Sequence, residues 1–320
     1  MKESFNYLYG PVPSRRLGRS LGVSPIPPKT CNYSCVYCQV GRTTHYTNIR
    51  QDFFPKEAIL AEIKRALKKT EDAIDYLTFV GEGEPTLCKS LGYLIQSTKE
   101  FSAIPLAVIT NGALLYESTL REELLPVDVV LPTLDTADPR KFKKINRPIK
   151  GLTLEKIIDG MRAFREIFQG KIWMEVILVK GLNDGLEDAN QLKILLDTLN
   201  CDRIYVNVPI RPPAESWVKI PEKSRIIKIC QILEAENIAY YESSEGFHLD
   251  KAKEIEEEIL RTTTRHPLRE DQIQTMLDLP PEECKQLLEK MVAEGKIRLV
   301  TYNDRNFWIN AQTKIKTRTL

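Results

Sequence analysis

Short apolar runs rich in β-branched residues recur along the first 240 positions. Between them lie longer stretches in which apolar residues return every three or four positions. The runs at 76–80 (YLTFV), 105–110 (PLAVIT), 127–131 (VDVVL), 172–179 (IWMEVILV) and 203–208 (RIYVNV) predict strands, with SLGV at 20–23 as the first. Helical spacing predicts helices over 55–70, where Ile59, Ile63 and Leu67 fall one turn apart, and over 154–168, 188–199 and 221–237. Strands alternating with helices predict a parallel sheet with right-handed crossovers. Six such units fit either a partly closed barrel or an open doubly wound sheet. The pattern changes near residue 246. Helices are expected at 251–261, 269–277 and 281–294, followed by a hairpin turning at Asn303-Asp304. That order is the plan of a winged helix, so two domains are expected, 1–245 and 246–320.

The unusual polar residues gather where each predicted strand ends. A loop with three cysteines follows the first strand, GEGEPT (81–86) the second, TNG (110–112) the third and PTLD (132–135) the fourth. KGLND (180–184) and PIRPPAESW (209–217) follow the last two. Parallel α/β folds build their sites at the carboxyl ends of the strands, so all six loops are candidates.

Composition adds limits. Of the 320 residues 42% are hydrophobic and 28% charged, with a net charge of +2, too small to imply nucleic-acid binding by itself. The charge is uneven, however. Residues 1–50 carry seven basic side chains, among them Arg15, Arg16 and Arg19, against the single acid Glu3, and this excess surrounds the cysteine loop. No apolar run is long enough to span a bilayer, and the N-terminus lacks the apolar core of a signal peptide. A cytoplasmic protein with reduced thiols is therefore expected, with no membrane partner.

The cysteine loop reads TCNYSCVYCQ, placing Cys31, Cys35 and Cys38 in a C-x₃-C-x₂-C spacing. Thiolates select soft or borderline metals. One reading is zinc, with His45 as a fourth ligand. Another is three unligated core cysteines, although Asn, Ser and Tyr flank Cys35 and Cys38. A third is a four-iron cluster, normally held by four cysteines. Three ligands leave one iron open to a small molecule. The other four cysteines have plainer settings. Cys230 and Cys284 fall on apolar helical stripes, and Cys201 sits at a helix-to-strand turn. Cys88 follows GEPTL, where an extra ligand or hydrogen donor would also fit.

With Tyr37 just before the last cysteine, the motif resembles the signature of the radical S-adenosylmethionine (SAM) enzymes. Further elements of that family follow in order over residues 20–215. The resemblance implies a partial (β/α)₆ TIM-like barrel, one [4Fe–4S] cluster on Cys31, Cys35 and Cys38, and SAM chelated to the open iron. It implies reductive cleavage of SAM to methionine and a 5′-deoxyadenosyl radical that takes hydrogen from a substrate, an oxidoreductase-type reaction. Tyr37, Gly83, Glu84 and Thr133 are the implied SAM-site residues, with Glu84 orienting the SAM amine and Thr133 and Asp135 near the ribose. An external electron donor such as flavodoxin or ferredoxin is an implied partner, beside an unidentified substrate.

YGPVPSRRLGRSLGV, NRP at 146–148 and PIRPPAESWV at 209–218 resemble the branch related to tRNA wyosine-synthesis enzymes. A wyosine-type tRNA-modifying enzyme is thus one alternative. Its second cluster needs cysteines upstream of the tripod, and here Cys31 is the first. A cluster-bearing regulator that reads nucleic acid through the winged helix is the other. Against it, residues 251–320 carry 13 basic and 12 acidic side chains, and Glu282 and Glu283 open the helix that would meet phosphates. Lys29, Lys180 and Arg211 are candidates to face the cavity, where either lysine could hold a substrate anion or, with a lowered pKa, form a Schiff base; the other reading is a solvated surface charge.

Overall fold

The inner and outer faces of one sheet account for the double-sided apolar strands. In this computed structural model, residues 5–70, 74–238, 255–265, 267–277 and 279–313 are described. The chain opens with an antiparallel pair, β1 (Leu8–Ser14) and β2 (Gly18–Val23), followed by two short strands around the cysteine loop, β3 (Thr30–Cys31) and β4 (His45–Tyr46). Then come α1 (Lys56–Thr70), β5 (Tyr76–Phe79), α2 (Leu91–Lys99), β6 (Leu106–Thr110), α3 (Ser118–Glu123) and β7 (Val129–Pro132). Next are α4 (Pro139–Ile145), α5 (Leu154–Ile167), β8 (Lys171–Ile177), α6 (Leu186–Leu199), β9 (Arg203–Asn207), α7 (Lys223–Leu233) and β10 (Glu236–Asn237).

The eight-stranded sheet runs β1-β2-β5-β6-β7-β8-β9-β10, and every pair after β1–β2 is parallel. Strand order follows chain order without reversal. A doubly wound sheet needs a reversal point, so that alternative is excluded, and the arrangement is that of a partial barrel. Side chains alternate across it. Leu106, Val108, Val130, Met174 and Val206 join the core under the helices, whereas Ala107, Val129, Leu131, Trp173 and Tyr205 pack together on the inner face, capped by Leu17 from the β1–β2 turn. Burial on both faces explains why PLAVIT and IWMEVILV read as continuous apolar runs.

The predicted strands and helices lie within a few residues of their expected places. Two differences have local causes. The helix expected to reach Asn237 ends at Leu233, because Glu234 takes a left-handed conformation (φ 53°) and turns the chain into β10. The antiparallel β1 was not anticipated, since its two prolines and a glycine hide any alternation. Helix starts are set locally. Asp138 caps α4 by accepting from the Arg140 and Lys141 N–H groups, with Pro139 in the first turn. Thr153 caps α5.

After the barrel come α8 (Ile255–Arg265), α9 (Glu270–Leu277) and α10 (Pro281–Ala293), then the hairpin β11 (Ile297–Tyr302) and β12 (Arg305–Asn310). Asn303 and Asp304 both have positive φ, as a tight hairpin turn requires. Leu268 pairs with Trp308 through reciprocal bonds of 3.0 and 2.6 Å, adding a third extended segment to the hairpin. This unit has its own apolar cluster, including Ile259, Leu268, Ile273, Leu288 and Met291. Tyr302 reaches the barrel unit at Val218 O, 3.5 Å away. Residues 251–254 of the first expected helix, and the boundary expected at 245–246, fall outside the described residues.

Candidate active site

The cysteine loop is pinned from two distant parts of the chain. The end of α4 and the residue after it supply carbonyls: Val36 N donates to Ile145 O (2.9 Å) and Ser34 N to Asn146 O (3.0 Å). Ile149 N donates back to Asn32 O (2.9 Å), and Glu215 N to Val36 O (3.1 Å). The Glu215 carboxylate, buried, accepts from Arg42 Nε at 2.8 Å and pairs with Arg147 at 2.5 Å. These two arginines hold its carboxyl below the usual carboxylate range. Residues separated by more than 100 positions thus fix the path of a loop with little regular structure of its own.

Each thiol faces a hydrogen-bond donor. Cys31 Sγ accepts from Tyr33 N (3.3 Å) and Asn111 Nδ2 (3.7 Å), and Cys35 Sγ from Asn146 Nδ2 (3.6 Å). Cys38 is favoured as thiolate by the Val40 and Gly41 N–H groups and by the Lys29 charge. Burial nevertheless pushes all three thiols upward. Without a metal they are protonated, and a metal must displace those protons. His45 is exposed at the loop's edge. The neighbour of the thiols is Tyr46, opposite Cys31 in the β3–β4 pair and bonded through its hydroxyl to Arg147 O. Burial, with Cys31 and Cys35 nearby, pushes Tyr46 up to about 12. The Cys₃His zinc reading therefore loses its fourth ligand. Among the described residues, no three His, Cys, Asp or Glu side chains close up as ligands of one metal ion would.

The GEGEP turn lies directly against this loop. Gly83 packs on β3, where an added Cβ would stand 2.0 Å from Thr30 O. Gly83→Ala should therefore displace the turn and lower stability by about 1–3 kcal/mol, which thermal unfolding followed by circular dichroism would measure. Glu84, predicted to orient the SAM amine, turns its carboxylate into the protein. Oε1 accepts from Thr86 N (3.0 Å), Thr86 Oγ1 (2.5 Å) and Thr110 Oγ1 (2.6 Å), and Oε2 from Asn111 N (2.7 Å). Burial raises its pKa against these donors. Its visible work is to join the GEGEP turn to the TNG turn. Asn111 then extends the chain of contacts to Cys31 and, at 2.7 Å, to the fully buried Asn32.

Tyr37, the aromatic residue of the cysteine motif, donates to Asp135 Oδ2 at 2.6 Å. Asp135 also accepts from Asn146 Nδ2 (2.6 Å) and Ile177 N (2.8 Å). Burial pushes its carboxyl up to about 6 despite those bonds. Asn146 Oδ1 is buried without a partner. Thr133 stands beside Thr110 O, which accepts its N–H at 3.2 Å, and bridges to Glu175 on β8. Tyr37, Glu84, Thr133 and the three cysteines are thus gathered at the carboxyl ends of β2 and β5–β8.

Other candidates lie elsewhere. Lys180 is exposed and paired with Glu222 at 2.6 Å, a surface ion pair rather than an anion holder. Cys88 is buried in the helix-side core, with burial pushing its thiol up to about 11. Cys230 and Cys284 are core residues, as expected. Arg211 bonds Gln39 at 3.1 Å. Lys29, with φ 59°, stays near Cys38. Reading the residue pattern missed Asn32, Asn146 and Glu215. Only the NRP and PAESW segments marked two of them, and nothing local showed that both grip the cysteine loop.

The sequence model of the radical SAM superfamily matches residues 26–192, from just before β3 into α6. The chain belongs to the radical SAM superfamily. With membership come the cofactors of the superfamily, a [4Fe–4S] cluster and SAM. A relative in Methanocaldococcus jannaschii, UPF0026 protein MJ1312, is 38% identical over 315 residues, 97% of each chain. A probable dual-specificity RNA methyltransferase RlmN from Endomicrobium trichonymphae is 27% identical, covering 69% of this chain and 65% of that one. Among solved structures, a radical SAM methyltransferase from Sphaerobacter thermophilus superposes with a TM-score of 0.56 at 18% identity, covering 69% and 66% of the two chains. At that identity the likeness shows the fold of the radical SAM core. No helix among the described residues is long and apolar enough to cross a membrane.

Proposed function

We propose that this radical SAM protein holds a single [4Fe–4S] cluster on Cys31, Cys35 and Cys38 and uses it to generate a substrate radical. The carrying observation is three thiols on one pinned loop, each met by an N–H group or a cation. That donor set suits an iron–sulfur cluster, whose properties depend on hydrogen bonds to the sulfurs. When bound, and with one electron from an external reductant, cluster and SAM would supply methionine and a 5′-deoxyadenosyl radical. The chain's own residues position and shield. Asn111 and Asn146 orient the Cys31 and Cys35 side chains, and Tyr37 and Asp135 close the side of the loop facing β7 and β8. The unpartnered Asn146 Oδ1 and the second lone pair of Glu84 Oε2 are both buried, so a small shift of the loop or turn on binding would bring them to SAM's amine or ribose hydroxyls, with Gly83 allowing the turn's close approach and Thr133 adding a hydroxyl beside Asp135. The test is to reduce the reconstituted protein with SAM and quantify deoxyadenosine by chromatography. Slow release without substrate is the expected result. An unchanged cluster spectrum on adding SAM, with no cleavage, would sink the reading.

A second reading, an RNA-modifying enzyme, is favoured by the RlmN relative. Its test is transfer of label from SAM, or loss of substrate hydrogen, on tRNA or rRNA fragments. Wyosine chemistry requires a second cluster and predicts about eight irons per chain. The regulator reading needs α10 to meet phosphates, yet Glu282 and Glu283 lie exposed in its first turn.

The unit 255–313 has the element order of a winged helix, and we assign it a protein- or substrate-presenting role. Residues 1–245 should then fold alone, keeping cluster and SAM binding, because the two units have separate apolar cores. Insolubility of the shortened chain, or lost SAM affinity, would refute the boundary.

A further inference from the structure

Inside the sheet lies a charged pair that the cofactor site does not use. Arg16, in the β1–β2 turn, reaches Glu175 on β8 and forms an ion pair through Nη1. Asn207 on β9 donates to the same carboxylate oxygen at 2.9 Å. Arg15 in turn donates to Asn207 Oδ1 (2.9 Å) and to Ile238 O (2.8 Å), so Asn207 is held from the other side. These contacts join the first strands of the sheet to the last across its inner face.

Arg16 is only partly spent by this arrangement. Its Nε is buried and has no hydrogen-bond partner. A buried N–H without an acceptor is costly, so an acceptor brought to it is favoured. The Nε–H and Nη2 edge of a guanidinium is a fork that fits two oxygens of one carboxylate or phosphate. The Arg16 and Glu175 side chains keep 16% and 9% of their surface exposed, and Nε itself is buried.

Its position is next to the chemistry. Glu175 O accepts from Leu134 N at 3.0 Å, and Glu175 bridges to Thr133. Leu134 precedes Asp135, whose carboxyl also feels the Glu175 charge. A molecule on the free Arg16 edge would lie on the inner face, beside Thr133 and Asp135.

We propose that Arg16 binds an oxyanion of the substrate, a carboxylate or a phosphate, with Glu175 and Asn207 as positioning residues that orient the guanidinium. The inference rests on the cofactor reading above for its placement beside the radical source. The alternative is that Arg16 and Glu175 merely brace the N-terminal hairpin against β8.

Calorimetric titration of the cluster-loaded, SAM-bound protein, under anaerobic conditions and constant ionic strength set with chloride, separates them. The probes are inorganic phosphate in one arm and acetate in the other, and the tighter one identifies the anion. Binding of one of them is expected, with Arg16→Met weakening it at least about tenfold. Arg16→Lys keeps the charge for Glu175 but loses the fork, so it should keep the melting temperature and still lose affinity. Glu175→Gln removes a competing anion and should strengthen binding. Should Arg16→Met fail to fold, Arg16→Lys carries the comparison. Absence of binding by either anion, or unchanged affinity in Arg16→Lys, overturns the proposal. Deoxyadenosine release by the same wild-type sample is measured separately, so failure of the cofactor reading is seen apart from failure of anion binding.

Discussion

Cys38→Ala is expected to empty the protein of its cluster, taking iron from about four per chain to near zero after anaerobic reconstitution. Only three cysteines stand on the pinned loop, so losing one leaves two, too few to hold a four-iron group on the proposed three-cysteine set. Cys230→Ala and Cys284→Ala should retain it. Their thiols are buried in the α7 stripe beside Ile226 and Leu233 and in the C-terminal core beside Leu288. Iron and sulfide analysis with electron paramagnetic resonance reads the outcome. Stoichiometric zinc, or about eight irons, would count against the assignment. The pH dependence of assembly has a definite sign. Burial raises all three thiols, so protons compete with iron and the yield should rise from pH 6 to pH 9.

The second large effect is expected at Glu84. Removing its carboxylate in Glu84→Ala strands four donors. The Thr86 and Thr110 hydroxyls can turn to other acceptors, but the main-chain N–H groups of Thr86 and Asn111 cannot. Each buried donor left unpaired costs about 1–3 kcal/mol, so a loss of about 2–6 kcal/mol is expected in denaturant unfolding. SAM affinity should fall about 10- to 150-fold, from the lost acceptor and the loosened turn. The cluster should still assemble, because Glu84 touches no thiol and reaches Cys31 only through Asn111. Glu84→Gln should sit between the two proteins: one amide oxygen still accepts, while the amide NH₂ opposes the Asn111 N–H. Unchanged unfolding together with an unchanged SAM titration would show that Glu84 neither joins the turns nor meets the cofactor.

Glu84 also marks the limit of reading a motif. GEGEP marked a candidate turn, and the turn does adjoin the cysteine loop. Yet Glu84, expected to orient the SAM amine, turns its carboxylate toward Thr110 and Asn111 of the next strand end. Lys180 shows the converse. It was expected to end the strand, but β8 stops at Ile177 and the KGLND turn carries Lys180 to the surface, where Glu222 pairs with it. A strand's end locates a residue to within a few ångströms, whereas the direction of its side chain depends on the loop that follows.

By itself the sequence determined the order and kind of the six predicted strands and the longer helices, the place of the six strand-end loops, and the cysteine spacing that resembles the superfamily's signature. Those properties are local. Apolar periodicity depends on which face is buried, and three thiols within eight residues stay on one loop wherever it goes. Tertiary structure alone decided the unreversed strand order, the antiparallel β1, and the residues that make the loop a site. Asn146 reaches Cys35 across 111 positions, Glu215 holds Arg42 across 173, and Arg15 reaches Asn207 across 192. The physical reason is that an amide or carboxylate has the same local signature on a solvated surface as against a buried thiol. Only the folded sheet, by removing water and bringing distant strand ends together, determines which partner it meets.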